Sequence, residues 1–111
     1  MKQPSQIIVC HKYLQLNRKK YRWSEINSVR LAHLKWEEGG KCPVLLIEFL
    51  KPVKGGALHF KEPQKLAPMK PGNVQEYILD RFSKKKYPEI MDAISLYKKV
   101  EPTIEIEAYV E

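Results

Sequence analysis

Two cysteines in 111 residues, Cys10 and Cys42, are too few for the disulfide-dense framework of a small secreted domain. Long hydrophobic runs are missing as well. The longest, Val44 to Leu50, is broken by Glu48 and falls far short of the roughly 20 residues needed to span a bilayer. No apolar stretch of the signal-peptide kind follows Met1, so the expectation is a protein of the reducing cytoplasm. Metal-ligating and catalytic patterns are equally sparse. His11, His33, His59 and the two cysteines show neither Cys-x-x-Cys nor His-x-x-x-His spacing, and Cys10 and His11, adjacent on an extended segment, point to opposite faces. Gly39-Gly40-Lys41 and Gly55-Gly56 lack the length and the Lys-Ser/Thr ending of a phosphate loop. Glu37, Glu38 and Glu48 have no identifiable base beside them and read as solvated side chains. With no nucleophile, base and orienting group that can be named together, no cofactor and no small-molecule substrate are expected, and an enzyme is disfavoured.

Acid is scarce until the end of the chain. Residues 1 to 100 carry all 20 Lys and Arg against 9 acids, hence +11, while Glu101, Glu105, Glu107 and Glu111 contribute −4, giving the net +7. A basic body of this kind draws in acidic proteins, nucleic acid or anionic lipid by long-range Coulomb attraction without defining which. Hydrophobic residues make up 43% and charged residues 30%, a balance that buries one core, and 111 residues is the size of one domain.

The first half of the chain has the period of strands. Gln6 to Cys10 is β-branched, Tyr13 to Leu16 alternates, Tyr21 to Trp23 opens another extended piece, and Ile26 to Leu31 a longer one. Glu38-Gly39-Gly40-Lys41 reads as a hairpin turn that pairs Val29 to Trp36 with Val44 to Leu50, the latter apolar enough to be covered on both faces. Lys54-Gly55-Gly56 turns the chain into a further strand over Ala57 to Lys61. Pro63, Pro68 and Pro71 make Glu62 to Gly72 a connecting loop.

Beyond the loop the spacing of Val74, Tyr77, Ile78 and Phe82 predicts an amphipathic helix with Asn73 as N-cap and Glu76 in the capping-box position, ended by Ser83-Lys84-Lys85-Lys86. Pro88 then opens a second helix with the stripe Ile90, Met91, Ile94 and Tyr97. The tail, Thr103 to Val110, alternates as a terminal edge strand would, with a frayed end as the alternative. Strands followed by helices indicate an α+β domain.

The strand meander, the Tyr-Arg-Trp-Ser-Glu-Ile-Asn-Ser-Val segment at Tyr21 to Val29 and the amphipathic helix after it together resemble the bacterial pleckstrin-homology-like (PH-like) domains over about residues 6 to 86. The resemblance implies an antiparallel bent sheet or barrel closed by a C-terminal helix, with Trp23 as a buried aromatic, Ile26 in the core and Glu25 facing outward. It also implies a protein-interaction module. Eukaryotic relatives of the wider superfamily often bind phosphoinositides through basic residues on the first strand pair, and Lys12, Lys20 and Arg22 follow that order here. The proline-rich loop, the second helix and the acidic tail depart from the family pattern.

Two basic clusters are the candidate binding residues: Lys12 with Arg18, Lys19, Lys20 and Arg22 around one turn, and Lys84, Lys85 and Lys86. The first lies beside Tyr21 and Trp23, a mixture that can neutralise phosphates and stack on bases. The reading is therefore a non-enzymatic interaction module, adaptor or inhibitor, for an acidic protein. Nucleic-acid binding and anionic-lipid binding are the alternatives. Contact is expected along a sheet edge or in the groove between the sheet and the helix of Val74 to Phe82.

Overall fold

A computed structural model describes residues 2–56 and 60–108. Seven strands and one α-helix are present among them: β1 (Ile7–Val9), β2 (Tyr13–Leu16), β3 (Lys19–Arg22), β4 (Ile26–Lys35), β5 (Lys41–Phe49), β6 (Val74–Ile78), α1 (Lys86–Ser95) and β7 (Lys99–Glu107). The fold is α+β, as the order of patterns indicated, but the strands form two sheets and do not close into a barrel among the described residues. One sheet is the antiparallel meander β1-β2-β3, and the other has the order β6-β5-β4-β7. In the larger sheet β5 runs antiparallel to both β4 and β6, and β7 lies parallel to β4, so α1 joins two parallel edge strands.

The larger sheet is the middle layer, and the alternation of β4 and β5 explains why. Val29 and Leu31 share one face with Leu45, Ile47 and Phe49, and this face is covered by Leu14 and Leu16 of β2 and by Met91 and Ile94 of α1. Ala32, Leu34, Val44 and Leu46 share the other, covered by Phe60, Leu66 and Met69 of the proline-rich connection. β5 is thus buried on both sides from Cys42 to Phe49, which is the reason for its near-continuous hydrophobicity. The β4–β5 hairpin turns through Gly39 and Gly40 at φ +86° and +99°, a region in which side chains other than glycine's are strained.

Three expectations need correction. The helix expected over Val74 to Phe82 is instead strand β6, paired with β5 from Val44↔Ile78 to Glu48↔Val74. Asn73 does not cap a helix: its side-chain amide donates to the Phe49 carbonyl at 3.0 Å. Lys84 to Lys86 therefore stand at the start of α1, not at the end of a helix, and Lys86 reaches Glu89 in the first turn at 3.4 Å. The tail does form an edge strand, starting already at Lys99, while its last residues Tyr109 and Val110 lie outside the described residues. The strand expected over Ala57 to Lys61 falls largely outside them too; Phe60 makes an antiparallel bridge with Ala108.

Candidate functional site

The first basic cluster is built by the β2–β3 hairpin. Leu16 pairs with Lys19 across the Asn17-Arg18 turn, and Asn17 sits at φ 55°, a conformation that asparagine tolerates better than most residues. Its side-chain oxygen accepts the backbone N–H groups of Ser5 at 2.9 Å and Gln6 at 3.2 Å, tying the turn to the N-terminal arm. The register Tyr13↔Arg22, Leu14↔Tyr21, Gln15↔Lys20 and Ile8↔Gln15 then sorts the side chains. Leu14, Leu16 and Tyr21 face the core, whereas Ile8, Tyr13, Gln15, Lys20 and Arg22 share the outward face. Lys19 belongs to the inward row at the end of the sheet, Arg18 to the turn and Lys12 to the β1–β2 connection. All five basic residues are exposed.

Their electrostatic setting differs from that of the larger sheet. There Lys35 and Lys41 meet Glu105 at 3.0 and 2.8 Å, Lys61 meets Glu37 at 2.7 Å, Lys65 meets Glu62, and Arg30 and Lys99 flank Glu101. Lys12, Arg18, Lys19, Lys20 and Arg22 make no ion pair among the described residues. Lys20 instead holds its ammonium 4.9 Å from the centre of the Tyr13 ring, and Lys19 lies 5.8 Å from that of Tyr21. Glu25 accepts the Arg22 backbone N–H at 2.8 Å.

The second cluster sits on a different element. Lys84 lines an open cleft of about 610 Å³ between α1 and the hairpin end of the larger sheet, whose other walls include Leu31, His33, Lys41, Pro43 and Met91. The groove expected between the sheet and a helix at Val74 to Phe82 does not exist, because that segment is strand β6; this cleft lies beside α1 instead. Lys84 and Lys85 make no ion pair among the described residues.

Trp23 is half-buried, stacked on Tyr97 with ring centres 5.3 Å apart and planes at 21°, and its indole N–H donates to the Cys10 carbonyl at 2.7 Å. Ile26 is fully buried, and Glu25 faces solvent. Burial alone would raise the Cys10 thiol, but hydrogen bonds from the Lys12 and Tyr13 backbone and the Lys12 charge hold its pKa below the ordinary value. Burial pushes the Cys42 thiol up. Both cysteines are free.

Glu48, expected to be solvated, is only 3% exposed. With Ser28, Arg30, Glu76 and Glu101 it forms a polar row inside the second core face, beneath the proline-rich connection. Arg30 donates to the Leu66 carbonyl at 3.0 Å, and Glu48 accepts the Lys70 N–H at 2.6 Å, so these charges clamp the connection to the sheet. Strand alternation places Glu48 on the inward face, a signal available in the sequence but masked by the general rule that glutamate is exposed. Among the described residues no group of three or more His, Cys, Asp or Glu side chains is placed to hold a metal ion, and no helix is long and apolar enough to cross a membrane.

No family model, curated protein or solved structure matches this chain.

Proposed function

We propose that the domain is a non-enzymatic, cytoplasmic protein-interaction module, an adaptor or an inhibitor, that docks an acidic protein across the outward face of β1-β2-β3. The observation that carries this reading is the uneven neutralisation of charge: glutamates pair with lysines of and beside the larger sheet, while Lys12, Arg18, Lys19, Lys20 and Arg22 on and around the small sheet make no ion pair among the described residues. Ile8, Tyr13 and Gln15 interleave with Lys20 and Arg22 on that face. Aromatic, aliphatic and arginine contacts among unpaired cations are the composition of a protein-docking patch. The lysine ammonium over the Tyr13 ring occupies the surface on which a base would stack, which favours a protein over nucleic acid. Kinship with PH-like domains is part of the same proposal. It rests on the strand pair that precedes Trp23-Ser24-Glu25-Ile26 and on the meander followed by a helix, while the parallel β7 departs from it.

The test is affinity capture from nuclease-treated lysate at about 0.1 M salt, where the Debye length of about 10 Å still lets exposed charge contacts act, using the native chain beside a Lys12→Ala, Arg18→Ala, Lys20→Ala, Arg22→Ala variant. A stoichiometric protein retained by the native chain and lost by the variant is expected, with a shallower salt dependence for any residual binding. Equal retention by both chains would remove this face from the interface. Recovery of nucleic acid alone, from untreated low-salt lysate, would transfer the site to a nucleic-acid ligand.

A further inference from the structure

Where the two sheets meet, Lys2, Lys19 and Lys54 line a pocket of about 310 Å³ together with Tyr21, Gln75 and Glu25. These residues are remote in sequence and are gathered by β3, β6 and two loops. None of the three lysines makes an ion pair among the described residues. Lys2 and Lys19 stand 5.8 Å from the ring centres of Tyr77 and Tyr21 respectively, and the two tyrosine hydroxyls bond each other at 3.0 Å. Either hydroxyl of this pair can be the donor; Tyr77 is 2% exposed, and donation from its buried O–H to the Tyr21 oxygen satisfies it fully. In that arrangement the Tyr21 O–H is available to a ligand in the pocket that Tyr21 lines. The one carboxylate, Glu25, already accepts the Arg22 N–H. A second hollow of about 330 Å³ adjoins the first, shares Phe49, Val53 and Glu25 with it, and adds Pro52 and the 60% exposed Leu50.

We propose that this pair of hollows binds a phosphomonoester, with the phosphoryl group held by Lys2, Lys19, Lys54 and the Tyr21 hydroxyl, and its apolar carrier laid against Phe49, Leu50 and Val53. In the first hollow three ammonium groups against one carboxylate leave a lining charge of +2, which matches a phosphate dianion and over-compensates a single carboxylate, and Lys51 of the second hollow adds one further positive charge. Lysines act as point charges that suit a tetrahedral anion, whereas planar carboxylates are best met by the fork of arginine, absent from this pocket. The inference goes beyond the docking of an acidic protein and stands without it, since Lys2, Lys54 and Gln75 are not on the outward face of the small sheet.

The experiment titrates the full chain with phenyl phosphate, inorganic phosphate and benzoate, following binding by calorimetry and by the backbone amide shifts of Tyr21 and Gln75. Phenyl phosphate is expected to bind most tightly of the three, and Lys2→Ala with Lys54→Ala to weaken it about tenfold. Lys70→Ala with Arg81→Ala removes the same charge from exposed positions outside both hollows and leaves binding unchanged. Equal weakening by the two double variants, benzoate binding as tight as phenyl phosphate, or no binding to the native chain would each overturn the proposal. A parallel arm uses phosphatidylcholine vesicles with and without phosphatidic acid. Retention that depends on phosphatidic acid and on Lys2 and Lys54 supports the site with a lipid headgroup as its source. Phenyl phosphate binding without such retention supports it with a soluble phosphomonoester.

Discussion

Replacement of Glu48 tests whether buried charge holds the proline-rich connection on the sheet. One carboxylate oxygen accepts Asn27 Nδ2 at 2.7 Å and Ser28 Oγ at 2.8 Å, and the other accepts the Lys70 N–H at 2.6 Å. In Glu48→Ala the exposed Asn27 amide recovers water, but the buried Ser28 hydroxyl and the part-buried Lys70 N–H lose their acceptor. At about 1.5 kcal/mol or more for each hydrogen bond to a charged group, two such losses come to roughly 3 kcal/mol. The relief of desolvating a carboxylate subtracts from this and the cavity adds to it, so about 2–4 kcal/mol is expected. Glu48→Gln keeps an oxygen for Asn27 and Ser28 but turns an amide N–H toward the Lys70 N–H, and about 1–2 kcal/mol is expected. Urea unfolding with linear extrapolation reads both values, and native-state hydrogen exchange at the Lys70 amide reads the local clamp. A cost below about 0.5 kcal/mol for Glu48→Ala, or unchanged Lys70 protection, would refute the assignment of this residue as the clamp.

Hydrogen bonds and charge from Lys41 and Lys35 lower the Glu105 pKa from 4.5 to about 2. Its folded pKa is depressed, so its contribution is present above pH 4.5 and is lost as pH falls toward about 2; acid unfolding of Lys35→Ala with Lys41→Ala should be less steep across that window, and an identical profile would contradict the pairing. A Cβ added at Gly56 would lie 2.8 Å from the Gly72 carbonyl oxygen and 2.9 Å from that of Pro71, both backbone atoms, so Gly56→Ala should cost about 1–3 kcal/mol in urea unfolding, and a neutral effect would place the two loops farther apart. Trp23→Phe preserves a ring for Tyr97 but removes the donor to the Cys10 carbonyl; a loss of about 1 kcal/mol in thermal or urea unfolding is expected, and none if that hydrogen bond is not made in solution.

The parts of the fold written in short-range patterns were legible. Paired glycines between two strand-like runs, the second almost continuously apolar, define the β4–β5 hairpin, and β2 shows its half-buried alternation directly. β6 was not legible, because Val74, Tyr77 and Ile78 satisfy a helical spacing while their partners lie about thirty residues upstream in β5. The strand is covered on both faces, with Glu76 facing the second core and Tyr77 the first, so the inward charge erased the alternation that would have marked it. The same locality governs the sites. Arg18 to Arg22 can be grouped from sequence because a hairpin holds them, whereas Lys2, Lys19, Lys54 and Gln75 meet only through the packing of the two sheets.

The acidic tail has a positional meaning in this arrangement. As β7 it lies beside β4, and Glu101, Glu105 and Glu107 contact Arg30, Lys35, Lys41, Lys61 and Lys99, so the carboxylates late in the chain act as internal counterions for the larger sheet. Among the described residues Lys12, Arg18, Lys19, Lys20 and Arg22 of β1-β2-β3 and its turns make no ion pair, so this sheet keeps a positive field that the carboxylates of β7 do not reach. Glu105→Gln with Glu107→Gln should release Lys35 and Lys41 and spread that field over the second sheet. Retention on a heparin column should rise with the substitution, because a polyanion senses total accessible charge. Binding of an acidic partner confined to the small sheet should keep its affinity and salt slope, since exposed charges farther away than a Debye length of about 8 Å are screened at physiological salt. A parallel rise in both would mean that the partner, too, reads only net charge, and the docking face would then have no more claim to specificity than the surface as a whole.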